Sequence, residues 1–277
     1  MPLTTPFRTL ILFALLVFTN FAAETVDTAD EKPLIIFAAS SLTAPLSDIA
    51  KAYEAETGTK VILSFGSSSA LARQLSMGAP GRVFISAHKK WISWFQENIK
   101  STEQTPALSI AQNGLVLATR VETAKQLGLK ADQNWDTYFS ALGNQRLIIG
   151  QPDTVPLGQY TFAYLQNKNL WDQVKDQLAP ARDALGAVML LKSGQSPLAI
   201  LYQNDVVNNK DLMVLKYLYR GDTSPIHYYA LKVGNNKAPN NIKTQSFIDY
   251  LTSTKASTIF CRHGLTAHIC ANTEQFQ

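Results

Sequence analysis

Apolar residues fall along this chain in two alternating patterns, and the alternation predicts the architecture. Short, nearly continuous apolar runs of strand length occur at Leu34–Ala38, Lys60–Phe65, Arg82–Ala87, Gly114–Thr119, Leu147–Gly150, Leu198–Tyr202 and Ile226–Val233. Between them, apolar positions recur at helical spacing. Leu42, Leu46, Ile49, Ala50 and Tyr53 predict a helix over 42–57, stopped by Gly58. Further helices are predicted over 69–77, 91–99 and 159–166, with one starting at Asp183 and a closing one over 247–260. Unbroken apolar strands suit parallel sheets covered on both faces, and strand–helix alternation predicts an open α/β architecture. The run at 114–119 is expected to cross into a second lobe, and the run at 226–233 to return to the first. The expected lobes are residues 33–112 with 222–277, and residues 113–221.

Residues 1–23 follow neither pattern. Arg8 precedes the apolar run Thr9–Phe18, which is too short to span a bilayer, and Ala22-Ala23 offers small residues for cleavage. This predicts an export signal cut near Ala23, with an uncleaved membrane anchor as the competing reading. The charges are 25 Lys+Arg against 21 Asp+Glu, a formal net charge of +4. That balance is mild and scattered, so no nucleic-acid partner is expected. Cys261 and Cys270 are the chain's 2 cysteines. In an exported protein such a pair predicts a disulfide. A metal site using them with His263 and His268 is the rival, but the spacing matches no zinc pattern.

Candidate chemistry lies where two of the strands end. Phe37-Ala38-Ala39-Ser40-Ser41-Leu42-Thr43 and Phe65-Gly66-Ser67-Ser68-Ser69-Ala70-Leu71 each pass from an apolar run through small residues and hydroxyls into a helix. Serine at a helix start caps free N–H groups or turns its O–H outward. The helix start also favours an anion. In open α/β sheets, ligands bind beyond the C-terminal strand ends. Two facing ends of this kind make an oxyanion pocket without a charged side chain; the competing reading is a pair of ordinary caps. A serine nucleophile needs a partnered base. None of the chain's 4 His (His88, His227, His263, His268) sits in a triad-like motif, and Gly66-Ser67-Ser68-Ser69-Ala70 is not a nucleophile elbow. No enzymatic activity is expected.

The two serine motifs, together with Gly78-Ala79-Pro80, Val83-Phe84-Ile85-Ser86-Ala87, the loop Gly150–Gly158 of form Gly-x-Pro-x-x-Val-Pro-x-Gly, Leu178-Ala179-Pro180 and Pro197–Asp205, resemble the periplasmic molybdate-binding proteins of ABC transporters. The resemblance runs from Leu34 to about Tyr250. It implies a two-lobe, type II periplasmic-binding fold with the ligand in the cleft. It also implies a periplasmic location, no cofactor, a monomer, and delivery of molybdate or tungstate to a membrane-embedded permease. Carried over by motif, the oxyanion contacts are Ser41 and Ser68 through hydroxyls, Leu157 and Ala184 through backbone N–H, and Tyr202 through its phenol. These five contact the molybdate itself, and no cation site is implied. Other side chains are common at Leu157 and Ala184 in that family, which leaves backbone donation intact. Arg82 and His88 stand where acids are expected and read as solvated surface exchanges. A pocket of donors disfavours hydrogen phosphate, whose proton needs an acceptor. It does not exclude sulfate. The alternatives are therefore the same fold tuned to another oxyanion, such as sulfate, or to a small carboxylate, or a sensor module.

Overall fold

The computed structural model describes residues 32–99, 106–234, 241–268 and 270. The expected export signal lies outside them. In chain order the strands are β1 (Leu34–Ala39), β2 (Val61–Gly66), β3 (Val83–Ser86), β4 (Leu108–Gln112), β5 (Leu115–Arg120), β6 (Leu147–Gly150), β7 (Leu178–Ala181), β8 (Ala199–Tyr202), β9 (Leu212–Tyr219) and β10 (His227–Lys232). The helices are α1 (Thr43–Thr57), α2 (Ser68–Ser76), α3 (Lys89–Glu97), α4 (Val121–Leu127), α5 (Trp135–Leu142), α6 (Pro156–Asn167), α7 (Trp171–Val174), α8 (Ala184–Lys192), α9 (Gln203–Val207), α10 (Asn241–Tyr250) and α11 (Thr254–Arg262).

Among the described residues these strands form two five-stranded sheets, ordered β2-β1-β3-β10-β4 and β7-β6-β8-β5-β9. The two sheets repeat one plan. Three parallel strands stand side by side, and an antiparallel strand follows them. The outermost strand is antiparallel to that one. The chain leaves the first sheet after β4 and enters the second at β5; it leaves the second after β9 and re-enters the first at β10. The α/β class with mixed sheets and covering helices is as the patterning predicts.

The strand interiors are buried as the unbroken apolar runs require. Leu34, Ile36 and Ala38 of β1 and Ile148 and Ile149 of β6 belong to one apolar cluster that includes residues of both sheets. A second cluster, with Phe37, Leu71, Phe84, Trp91 and Phe95, packs α2 and α3 on the first sheet. That placement explains the apolar residues of the predicted helix over 91–99.

Three differences from the patterning have local causes. The closing helix is two helices, because Ser253 breaks it: its Oγ accepts from the Ala256 N–H at 3.2 Å and caps α11. Serine competes with the helical ladder in this way. Strands β4, β7 and β9 and helices α4, α5, α7 and α9 are absent from the expectation. Strand β7 is four residues containing Pro180, and β9 mixes Lys216 and Tyr217 into its pattern. Third, α1 starts at Thr43 after a 3₁₀ turn over Ser40–Leu42, one residue later than the spacing suggests.

The disulfide Cys261–Cys270 is present, with Cα atoms 5.9 Å apart. Its sulfurs are bonded to each other, and His263 Nε2 lies 2.9 Å from Asp48 Oδ2, so these side chains do not assemble as a metal site. The closed loop is short, so the chain-entropy contribution is about 2.5–3 kcal/mol. Reducing the bond, or making Cys261→Ser with Cys270→Ser, is expected to lower the melting temperature by about 5–10 °C. An unchanged melting curve under reductant counts against this contribution.

Candidate functional site

All six parallel strands send their C-terminal ends to one cavity. Its lining is Ala39, Ser40 and Ser41 after β1, Gly66, Ser67 and Ser68 after β2, and Ala87 after β3. From the second sheet come Val155, Pro156 and Leu157 after β6, Ala184 after β7, and Tyr202 at the end of β8. All five expected contacts, Ser41, Ser68, Leu157, Ala184 and Tyr202, are thus in one place. The cavity is small, with about 190 Å³ of space including its mouth. That suits one compact solute rather than a peptide or a sugar chain. No charged side chain is in its lining.

The reason the backbone can donate here lies in the helix starts. The first N–H groups of a helix have no intrahelical acceptor. Residues Ser68, Leu157 and Ala184 occupy first-turn positions in α2, α6 and α8. None of those first turns contains an acidic residue, and only α8 has a carboxylate at its cap, Asp183, so the positive dipole ends of α2 and α6 carry no side-chain anion. Helix α6 has no side-chain cap, and Pro156 at its start has no N–H to offer. The next donor is therefore Leu157, whose side chain is fully buried in the core. Gly150 and Gly158 let this loop fold tightly. A Cβ on Gly150 would sit 2.5 Å from the Gly158 nitrogen. Asp183 caps α8, its Oδ1 accepting from the Gly186 N–H at 2.8 Å. That carboxylate is occupied at the cap and is not part of the cavity lining.

The ordinary-cap reading holds for Ser67, whose Oγ accepts from the Ala70 N–H at 3.3 Å. It does not hold for the other two serines. Ser68 Oγ accepts from the Ala87 N–H at 3.1 Å, which leaves the Ser68 proton available. Ser41 Oγ lies 2.7 Å from the Tyr228 hydroxyl. Ser40, which the sequence reading passed over, also lines the cavity, and its Oγ accepts from the Leu185 N–H at 3.4 Å. Tyr202 is 1% exposed, and its hydroxyl has no hydrogen-bond partner among the described residues. Burial, followed by neighbouring Tyr228, pushes its pKa well up, so the phenol keeps its proton.

Behind the cavity lies a set of polar residues that no motif marked. Asn113 sits between β4 and β5, and Tyr228 sits in β10. Asn113 Nδ2 donates to the Tyr228 hydroxyl at 2.9 Å and to Asn204 Oδ1 at 2.7 Å. Asn204 Nδ2 donates to the Ser41 carbonyl at 2.8 Å. Tyr160 of α6 donates to the Ala87 carbonyl at 3.1 Å. The only mark on Asn113 was its place in the polar step Gln112-Asn113-Gly114 just before β5. None existed for Tyr228, one of four consecutive residues of aromatic or histidine type and alanine in β10.

His88 is not a solvated surface exchange. Its Nδ1 accepts from the Lys90 N–H at 3.0 Å and so caps α3, the work an acid does at that position. Its ring stacks on Tyr160, with centroids 4.8 Å apart. Burial, then Lys90, lowers its pKa, which preserves the neutral, accepting form. Arg82 is half-buried, and its backbone joins the sheet, donating to the Ile35 carbonyl and accepting from the Val233 N–H.

The fold agrees with comparisons to known proteins. Residues 34–266 match the family model described as bacterial extracellular solute-binding protein. The chain belongs to that family. Its relatives include the molybdate-binding protein ModA of Escherichia coli K12, 34% identical over 89% of this chain and 94% of that one. Another is ModA of Haemophilus influenzae, 32% identical over 84% of this chain and 89% of that one. Among solved structures, the substrate binding domain of a putative molybdenum ABC transporter from Clostridium difficile superposes with a TM-score of 0.62. It is 26% identical and covers 85% of this chain and 98% of that one. These relatives bear out the resemblance carried by the serine motifs.

One half-buried acid with a buried carboxyl oxygen lies close by. Asp205, in α9 three residues after Tyr202, has a buried Oδ2 without a partner among the described residues. Burial raises its pKa to about 8. The folded protein then holds a proton that the unfolded chain releases near pH 4. The folded pKa being the higher, Asp205 contributes full stability below pH 4 and loses it progressively as pH rises to about 8. Thermal melts from pH 4.5 to 8.5 should therefore show wild type losing stability relative to Asp205→Asn as pH rises. Parallel profiles would refute the shift.

Proposed function

We propose that this solute-binding protein binds molybdate, and tungstate as a near-equal in size, and presents it to an ABC-transporter permease. The observation that carries the reading is the Tyr202 hydroxyl, a buried donor without a partner among the described residues, at a cavity that they line with no charged side chain. Leaving a buried donor unmet costs about 1–3 kcal/mol. An anion accepting from it removes that cost in the bound state. Relatives named as molybdate-binding proteins at 34% and 32% identity support the choice of anion.

The chemistry of the donor set supports the same class. A fully deprotonated dianion accepts from the Ser41, Ser68 and Tyr202 hydroxyls and from the Leu157 and Ala184 N–H groups. Its charge is balanced by helix dipoles, without Lys or Arg. Donors from both sheets surround one anion, so binding favours the closed arrangement of two lobes, residues 33–112 with 222–277 against 113–221. A ligand shifts that equilibrium only by its differential affinity for the closed form. The permease would recognise the closed form. No step of this function makes or breaks a covalent bond, so the protein acts as a carrier and not as an enzyme. Export through a signal over residues 1–23 places it where such a permease faces.

Isothermal titration with molybdate, tungstate, sulfate and phosphate tests the reading. Tight binding of the first two with weak sulfate binding is expected. Sulfate binding as tightly as molybdate would move the function to a different oxyanion, and no heat with any anion would refute it. Ser68→Ala should weaken molybdate binding by about 1–3 kcal/mol. Tyr202→Phe should weaken binding while raising the melting temperature of the ligand-free protein, because it deletes the unmet donor. A stabilised Tyr202→Phe variant with unchanged affinity would remove Tyr202 from the site.

A further inference from the structure

The direction of the hydrogen bond between Ser41 and Tyr228 can be worked out from groups whose roles are not in doubt. The backbone N–H of Gly114 at 2.9 Å and that of Asn204 at 3.3 Å both point at one atom of the Asn113 amide. Backbone N–H groups can only donate, so that atom is Oδ1. The other atom is Nδ2, and its two protons go to Asn204 Oδ1 and to the Tyr228 oxygen. The Asn204 amide is set independently, since its other atom faces the Ser41 carbonyl, which can only accept.

Tyr228 is fully buried, and among the described residues its hydroxyl has two hydrogen-bonding neighbours, Asn113 and Ser41. It already accepts from Asn113. If Ser41 also donated to it, the phenol proton would be left buried without an acceptor. If Tyr228 donates to Ser41 Oγ, every proton in the chain of bonds is used and the Ser41 proton is released. Burial raises the Tyr228 pKa, so that donor proton stays in place. Ser68 is handled alike, its Oγ occupied by the Ala87 N–H.

We propose that Tyr228 is a positioning residue that sets selectivity: by donating to Ser41 Oγ, it makes Ser41 present a proton, and not a lone pair, to the anion. The proposal rests on the oxyanion reading above and deepens it. The relay runs from Asn113 through Tyr228 and Ser41 to the ligand. It rejects protonated oxyanions such as hydrogen phosphate, because the serine that would accept their proton is held as a donor. Without the phenol, Ser41 is free to rotate and offer an acceptor.

The test compares wild type, Tyr228→Phe, Ser41→Ala and the double variant by titration with molybdate, and by displacement of molybdate with sulfate and phosphate. Sulfate and phosphate are alike in size and shape, so their ratio reads the proton and not the pocket volume. Tyr228→Phe is expected to weaken molybdate binding about tenfold, a typical loss for one hydrogen bond. It is also expected to narrow the sulfate-over-phosphate preference, and to change little once Ser41 is already alanine. A phosphate response that does not rise in Tyr228→Phe overturns the proposal. So does a loss that adds in full to that of Ser41→Ala, since a residue acting through Ser41 cannot act without it. Should Tyr228→Phe fail to fold, wild-type displacement decides: phosphate competing as well as sulfate overturns the relay while leaving the oxyanion reading intact. Wild type that responds to none of molybdate, tungstate or sulfate overturns the oxyanion reading itself, and the relay with it.

Discussion

A helix that begins immediately after a parallel strand cannot satisfy its own first N–H groups. Much of this molecule follows from that constraint. Two sheets of matching plan each bring the ends of three parallel strands to one place, and α2, α6 and α8 start there. Burying those starts requires an acceptor for their N–H groups. The protein supplies few acceptors of its own: Ser67 caps α2 and Asp183 caps α8. What remains around the cavity is a surplus of donors, concentrated where the starts of three helices meet. Such a surplus is the chemical definition of an anion site.

The serines show how closely that surplus is managed. A hydroxyl can donate or accept, so a serine-rich lining does not by itself choose between an oxyanion and a proton-bearing ligand. At Ser68 a backbone N–H from Ala87 occupies the oxygen. At Ser41 the neighbour is the Tyr228 phenol, itself held by an amide whose orientation two backbone N–H groups determine. Asn113, Asn204, Tyr228 and Ser41 come from both sheets and from the segment that joins them. The network therefore ties the site to the crossing between the two halves of the fold.

His88 shows a helix cap supplied by an imidazole. An acid at that place would cap α3 with a carboxylate oxygen. The imidazole does so with Nδ1, and its aromatic face adds contact with Tyr160 from the opposite sheet's helix. Tyr160 in turn donates to the Ala87 carbonyl, next to the N–H that holds Ser68. A change that looks like surface drift in the sequence thus sits in the interface beside the cavity.

Local pattern was enough for five of the six parallel strands and the helices that follow them, because burial on both faces writes continuous apolar runs and capping residues mark the starts. It was enough as well for the disulfide, since 2 cysteines close in an exported chain have few alternatives. Motif order located Ser41, Ser68, Leu157, Ala184 and Tyr202, all of which meet at one cavity. Pattern failed for β7 and β9, where proline or charge interrupts a short strand, and for the break at Ser253, where one side-chain cap outweighs the apolar spacing. The sequence by itself thus determined the alternating elements, the donor types and the places where helices begin. The tertiary structure alone decided which hydroxyls are caps and which face the cavity, that Tyr202 lacks a partner among the described residues, and that Tyr228 backs Ser41 from 187 residues away. Hydrogen-bond direction depends on every neighbour of each atom, and those neighbours come from segments that no local pattern connects.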